Sequence, residues 1–384
     1  MAEKKPRNGR HVVITGEHFE TVLRALTSAG YTLIGPIVRD GGLVYDTIDT
    51  VAQLPAGWTD EQEAATYRVH HSAGEMLFDH NAAAQSWKKF LTPPTSELWR
   101  LHKSADGFTF DSPRPAAAPM AFIGVRPCDL AAIAILDRVY LEGPYRDRGY
   151  EARRRETFVV AVNCIRAGST CFCASMGTGP RATEHFDLAL TELTTSDGHK
   201  FVIDIGSQRG ARILSDVPHR DATPGDLDEA AQGIAHAEAH MGRKLDIHGL
   251  KEKFYEARES AHWGKVAERC LACGNCTMVC PTCFCSNVHD TTDPCASCSV
   301  RTKSWDSCFT MDFSYIHGGV VRKSIAARYR HWISHKLATW HDQFGTPGCV
   351  GCGRCITWCP AQIDITQEAA AVTAPAVSAA AIQS

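Results

Sequence analysis

The sequence predicts an α+β fold, in which an N-terminal α/β domain is followed by a smaller, cysteine-rich domain with a helical insert. Two observations support this division. Strand-like and helix-like segments alternate up to about residue 224, whereas most of the 17 cysteines follow residue 269. Alternation of this kind is typical of a sheet covered by helices. The stretch between them, 225–268, is rich in Ala, Glu, Lys and His and is interpreted as a helical connector.

The α/β domain is expected to begin at residue 11. HVVIT is strand-like, a helical pattern covers Glu17 to Ala29, and two β-rich runs flank the turn at Asp40. Gly41 and Gly42 complete that turn, since glycine is the residue that turns favour. These features predict a strand, a helix and a hairpin at the start of the domain.

A parallel pair of strands is predicted further along. AFIGV (Ala121–Val125) is strand-like, a helix begins near Asp129, and FVVAV (Phe158–Val162) is a second apolar run of strand length. A strand, a helix and a strand in this order are typical of a βαβ unit.

Domain bounds follow from these patterns. The C-terminal residues AAAVTAPAVSAAAIQS have low complexity, which is typical of a tail without fixed structure. The expected divisions are a disordered N-terminus at 1–10, the α/β domain at 11–224, the connector at 225–268, the cysteine-rich domain at 269–366 with an insert at 286–345, and a disordered Ala-rich tail at 367–384.

Composition excludes several classes of protein. Hydrophobic residues make up 44% of the chain and charged residues 22%, which is ordinary for a globular protein. The net charge of −3 gives no basic surface for nucleic acid. The charged first residues lead into no apolar segment, and no apolar run is long enough to span a bilayer. We therefore expect a cytoplasmic protein with no membrane span.

Two copies of one cysteine motif carry the chemistry. Each has the spacing C-x2-C-x2-C-x3-C-P, first from Cys270 to Pro281 and again from Cys349 to Pro360. This spacing is typical of a ferredoxin-like domain with two [4Fe–4S] clusters, in which the fourth cysteine of each motif ligates the other cluster. A zinc ribbon or a disulfide framework is the alternative, but a zinc ribbon has two Cys pairs separated by a long spacer.

The motif predicts two sets of ligands. The first thiol set is Cys270, Cys273, Cys276 and Cys359. The second thiol set is Cys280, Cys349, Cys352 and Cys355. Between the motifs lies the insert, in which residues from about Arg322 to His341 have a helical pattern. We expect this insert to cover the clusters or to dock a partner.

Four further cysteines could form a third metal centre. The N-terminal thiol set is Cys128, Cys164, Cys171 and Cys173. Cys128 and Cys164 follow the two strands that are predicted to be parallel neighbours, so both thiols are expected at the sheet edge where such sheets bind ligands. The Cys-x-Cys spacing is unusual for a cubane, and buried structural thiols or a redox-active or zinc site remain alternatives.

The other cysteines receive no ligand role. Cys283, Cys285 and Cys308 are interpreted as packing around the clusters. Cys295 and Cys298 lie in Asp-Pro-Cys-Ala-Ser-Cys, which looks like a nickel-binding element, but the N-terminal partner motif of such a site is absent from the sequence. No P-loop or dinucleotide-binding glycine motif follows a strand. The chain therefore carries no recognisable flavin, nicotinamide or ATP site.

Five segments together resemble one family closely. They are VRPCDLAAIAILDRVYL, NC…GSTCFCASMGTGP, CLACGNCTMVCPTCFC, WDSCFTMDFSYIHGG and HKLATWHDQFGTPGCVGCGRCITWCP. The family is the iron–sulfur beta subunit of cytoplasmic sulfhydrogenases, the NAD(P)-linked bidirectional [NiFe]-hydrogenases. The related iron–sulfur subunit of anaerobic sulfite reductase is similar but more distant.

The resemblance implies a role and partners. It implies a non-catalytic subunit that relays electrons through [4Fe–4S] clusters, and it adds support for a third iron–sulfur cluster in the N-terminal domain. The implied partners are a flavin- and NAD(P)-binding subunit, together with the small and large subunits of a [NiFe]-hydrogenase. The alternative is the equivalent relay subunit of an anaerobic sulfite or sulfur reductase.

Overall fold

The computed structural model describes residues 10–112, 118–196 and 198–374. Most of the predicted N-terminal disordered segment and the last ten residues of the predicted tail lie outside these ranges. Helices and strands are mixed throughout the described part, as the predicted α+β class requires.

Sixteen strands occur in the described residues. They are β1 (His11–Thr15), β2 (Thr32–Arg39), β3 (Gly42–Thr47), β4 (Trp58–Glu63), β5 (Thr66–His71), β6 (Thr95–Ser104), β7 (Gly107–Asp111), β8 (Met120–Val125), β9 (Thr157–Val162), β10 (Leu188–Thr195), β11 (Gly198–Ile205), β12 (Arg220–Asp221), β13 (Ser286–Thr292), β14 (Cys298–Trp305), β15 (Tyr315–Ile316) and β16 (Gly319–Val320).

Thirteen α-helices accompany them in the same described ranges. They are α1 (Phe19–Ser28), α2 (Lys88–Leu91), α3 (Pro127–Leu141), α4 (Arg148–Arg155), α5 (Gln208–Leu214), α6 (Pro224–Ala239), α7 (Leu250–Glu256), α8 (His262–Arg269), α9 (Asn275–Met278), α10 (Ile325–Ser334), α11 (Trp340–Phe344), α12 (Arg354–Thr357) and α13 (Ile365–Thr373).

An eight-stranded sheet forms the centre of the α/β domain. Its strand order is β12-β1-β11-β10-β9-β8-β2-β3. Strands β2, β8, β9 and β10 run parallel, and the strands outside this group pair antiparallel. The predicted βαβ unit is β8–α3–β9, with Phe122 opposite Val159. Pro127 starts α3, a position where its missing N–H costs nothing.

Both faces of this sheet are covered. Every residue of β9 is buried. Phe158 and Val160 pack into the core beneath α1 and α5, whereas Val159 packs with Trp87 and Tyr150 on the other face. A strand buried on both faces is apolar along its whole length, which is why FVVAV could be assigned from the sequence.

The connector is helical, as expected. Helix α6 begins with Pro224 behind a capping box formed by Thr223 and Asp226. Helices α7 and α8 follow, and α8 ends at Arg269, directly before the first cysteine motif. The connector thus leads directly into that motif.

The prediction of a helical insert is wrong for its first part. Residues 286–305 form the hairpin β13–β14, and β14 pairs with β6 from the α/β domain in a four-stranded sheet of order β13-β14-β6-β7. Only the later part is helical, in α10 and α11 with a π-helical segment, His335–Thr339, between them. The α/β domain and the cysteine-rich domain therefore share a sheet, and residues of both are needed to form it.

The predicted tail also begins too early. Helix α13 continues through Thr373, and Ala369 and Val372 are buried in it. They pack with aromatic residues of α8 and α10 in one core cluster. The first residues of the alanine-rich segment thus belong to the cysteine-rich domain.

Candidate metal centres

The first thiol set surrounds one cavity. Cys270 follows α8, Cys276 lies in α9, and Cys359 comes two residues after α12. With Cys273 these thiols line a cavity that Tyr329 and Trp332 of α10 also line. Burial and the neighbouring Cys270 and Cys359 raise the pKa of Cys276 well above its usual value. The structure thus brings Cys359 to the three cysteines of the other motif.

The thiols of the second set also come from both motifs and affect one another's pKa. Burial raises the pKa of Cys349 to about 12, and Cys352 and Cys280 contribute to that rise. The pKa of Cys355 is raised well above its usual value by burial and by Cys349, Cys352 and Cys280. Each motif therefore has its fourth thiol beside the other motif's first three.

The loop of each cysteine motif contains a residue with left-handed backbone. Ala272 has a φ of 51° and Gly351 a φ of 63°. These turns direct backbone N–H groups at sulfur, with Ala272 N 3.4 Å from Cys270 Sγ and Gly351 N 3.5 Å from Cys349 Sγ. A donor aimed at a thiolate stabilises its negative charge, so both loops suit anionic ligands.

The N-terminal thiol set also lies around a single cavity. Cys128 sits in the first turn of α3 and Cys164 two residues after β9, and the cavity is lined by all four thiols of the set together with Cys352. Burial and the adjacent Cys164 raise the pKa of Cys171 to about 12. These thiols therefore adjoin the second thiol set.

A buried arginine fits a negatively charged group at this cavity. Arg126 is 3% exposed and lines the cavity. Its guanidinium donates to the carbonyls of Phe78 and His80 and lies 4.0 Å from Cys164 Sγ, while its Nε has no partner among the described residues. A buried cation with an unused donor is costly unless an anion lies beside it. Thiolates that carry a cluster would supply that anion.

A buried lysine likewise fits a negatively charged group at the second thiol set. Lys336 Nζ lies 3.2 Å from Cys280 Sγ and 3.5 Å from Cys283 Sγ, and it donates to Thr282 Oγ1 and Gly348 O at 3.1 Å. A hydrogen bond from the Cys283 thiol and the Lys336 ammonium hold the pKa of Cys280 well below its usual value. The thiolate is the form that binds metal.

Cys283, Cys285 and Cys308 lie around this region, as their interpretation as packing residues would require. Cys285 and Cys308 form a hydrogen-bonded pair, and the bond from Cys308 lowers the pKa of Cys285. Cys295 and Cys298 lie at the β13–β14 turn, where Cys295 is exposed and Asp293 accepts from Cys298 N at 2.9 Å. Neither Cys295 nor Cys298 lines the cavity of the first or of the N-terminal thiol set.

Sequence reasoning missed the basic residues at these sites. Arg126 precedes Pro127 of α3, Lys336 lies in the insert, and Lys88 donates to Cys280 O at 3.1 Å from α2. Lysine and arginine are usually exposed, so their type gives no sign of burial. The sequence signal that was available is their apolar neighbours: Lys88 follows Trp87, and Lys336 precedes Leu337 and Ala338.

Comparison with known proteins agrees with the arrangement of the cysteines. A family model described as a 4Fe-4S dicluster domain matches residues 269–363. Sulfhydrogenase 2 subunit beta of Pyrococcus furiosus is 34% identical over 310 residues, which cover 78% of this chain and 87% of that protein. No solved structure matches the chain.

The described residues include no helix that has both the length and the apolar character needed to cross a membrane. The dicluster match spans both cysteine motifs, and the similarity to the Pyrococcus protein extends over most of both chains. The chain belongs to the family of iron–sulfur beta subunits of sulfhydrogenases.

Proposed function

We propose that the chain relays electrons through three [4Fe–4S] clusters, held by the first, second and N-terminal thiol sets. The observation that carries this proposal is the adjacency of the sets. Cys352 of the second set lines the cavity of the N-terminal set, and Cys355 of the second set lines the cavity of the first. The second set is therefore the middle of a row, as a relay requires.

The ends of the row differ in exposure. In the N-terminal set Cys128 and Cys173 are buried, whereas Cys273 of the first set is exposed and Leu271 beside it is 67% exposed. Exposure is one of the properties that set a cluster's potential. The first set is accordingly an end at which a docked partner could exchange electrons with a cluster close to the surface.

The residues of this chain hold and insulate the clusters. When bound, each cubane supplies a site that gains and loses one electron. The thiolates fix it, and backbone N–H groups stabilise sulfur, including that of Ile363, which lies 3.4 Å from Cys359 Sγ. The buried rings of Tyr329 and Trp332 cover part of the first cavity. No group of this chain is assigned to the making or breaking of a substrate bond.

The proposed partners are those of a sulfhydrogenase complex: a flavin- and NAD(P)-binding subunit, together with the small and large subunits of a [NiFe]-hydrogenase. Membership of the sulfhydrogenase beta family supports this assignment. Electrons would pass through the row of clusters between the flavoprotein and the nickel–iron module. An equivalent relay in a sulfite or sulfur reductase would need a different catalytic partner.

An anaerobic pull-down of the tagged native protein tests the proposal. We expect a flavoprotein and a nickel-containing subunit to co-purify with the chain, with nickel and flavin detected by metal analysis and absorbance. The control is the same purification of an unrelated protein with the same tag. Purification of the iron-loaded chain alone, or with a siroheme protein, would contradict the proposed partners.

A further inference from the structure

Lys336 occupies an unusual place in the backbone. It lies in the π-helical segment His335–Thr339, between α10 and α11. π-helical turns are rare, and when they interrupt an α-helix they are frequently found at functional sites. Here the segment places the Lys336 ammonium 3.2 Å from Cys280 Sγ, inside the cysteine-rich domain.

The charge of Lys336 has no carboxylate to balance it. The side chain is 4% exposed, and its hydrogen-bond partners in the described part of the chain are two thiols, one hydroxyl and one carbonyl. Burying an ammonium group without an anion is strongly unfavourable. Its counter-charge must therefore come from the sulfur side, that is, from the second thiol set and what that set binds.

Three other buried cations near the first and second thiol sets are placed differently. Burial raises the pKa of Cys352, and the nearby Arg354 guanidinium opposes that rise. Arg354, however, forms a two-point ion pair with Asp129, with both contacts at 2.9 Å. Lys88 donates to the carbonyls of Cys280 and Cys283 and lies over the Trp305 ring. Near the first thiol set, Arg328 contacts the Met311 sulfur. Lys336 combines an unbalanced charge with direct contact to a thiol of the second set.

We propose that Lys336 raises the reduction potential of the cluster in the second thiol set, and of that cluster selectively. Four thiolates give such a cluster a net negative charge, and one added electron increases it by one. A fixed cation at a ligand sulfur, where the surroundings screen little, favours the reduced form. This inference rests on the proposed function, because it requires a cluster at that set.

An EPR-monitored redox titration of the full chain under anaerobic conditions tests this role. For Lys336→Met we expect the midpoint of one cluster to fall by about 59 mV or more, which is a tenfold loss in its one-electron reduction equilibrium. The other midpoints should change much less. The affected signal should persist in a Cys273→Ser background, which removes a ligand of the first set only.

Three further variants separate charge from other effects. Lys336→Arg keeps the charge and should retain most of the native midpoint. Lys336→Gln keeps a donor without the charge, so its midpoint should fall as in Lys336→Met. Lys103→Met removes an exposed charge from β6 and should shift nothing.

Several outcomes would overturn the tuning role. These are unchanged midpoints in both uncharged variants, equal shifts of all clusters, or loss of the cluster in the Met and Gln variants but not in the Arg variant. The last outcome would make Lys336 a structural counter-ion only. Failure of the proposed function would appear differently, as a native protein without cubane EPR signals after dithionite reduction.

Discussion

Cys359→Ser is expected to abolish the cluster of the first thiol set, although Cys359 belongs to the second motif. Its thiol lines the cavity of Cys270, Cys273 and Cys276. A serine hydroxyl is a much weaker ligand for cluster iron than a thiolate, so we expect the variant to lose this cluster, that is, about four iron atoms per chain. The measurement is iron analysis of anaerobically purified protein, together with the loss of one EPR signal.

Double variants reveal which thiols share a cluster. Cys359→Ser combined with Cys273→Ser should lose no more iron than either change alone, because both ligands serve one cluster. Cys359→Ser combined with Cys352→Ser should lose about eight iron atoms. Cys295→Ser, at the exposed hairpin turn, is the control and should keep all its iron. The opposite pattern in the double variants would show that each motif binds its own cluster.

The second large effect is expected from Arg354→Leu. Arg354 comes from α12 within the second motif and is fully buried. Both ends of its guanidinium contact the Asp129 carboxylate of α3 at 2.9 Å, and its Nε donates to Ala83 O at 2.7 Å. Removal of the arginine leaves a buried carboxylate without a partner, which costs about 3–5 kcal/mol. This ion pair joins the second motif to the helix that carries Cys128.

Denaturant unfolding of the cluster-loaded protein, followed by tryptophan fluorescence, measures this loss. The matched control is Arg301→Leu, since Arg301 contacts Asp290 at two points but both side chains lie in the solvent-exposed hairpin. Its effect should be much smaller because water screens exposed pairs. Replacing Asp129 by Leu together with Arg354→Leu should recover part of the stability. If Arg354→Leu and Arg301→Leu lowered the free energy of unfolding equally, the stabilising role of the buried ion pair would be refuted.

The central strands could be predicted because their signals are local. Strands β8 and β9 are continuous apolar runs, and Pro127 marks the start of α3; the observed bounds differ from the predicted ones by one or two residues. The grouping of the cysteines could also be predicted, because three ligands of each expected cluster lie within seven residues of sequence. Short-range patterns therefore predicted most of what positions the thiols.

The hairpin β13–β14 could not be predicted in this way. Its first strand is polar and mostly exposed, so it carries no apolar alternation. The hairpin is stabilised by the pairing of β14 with β6, about 200 residues earlier in the chain. Strand propensity depends on such neighbours. The burial of three basic residues could not be predicted for the same reason, because it depends on contacts between distant segments. These residues are Arg126, Lys336 and Arg354.

Iron and acid-labile sulfide in the anaerobically purified chain test the central claim most directly. The account predicts about twelve iron atoms and about twelve sulfides per chain, since three thiol sets would each hold one cubane. It further predicts that Cys171→Ser, a change in the N-terminal set, removes about one third of both. Contradictory results would be a colourless protein without iron and sulfide, zinc in place of iron, or an iron content that Cys171→Ser leaves unchanged.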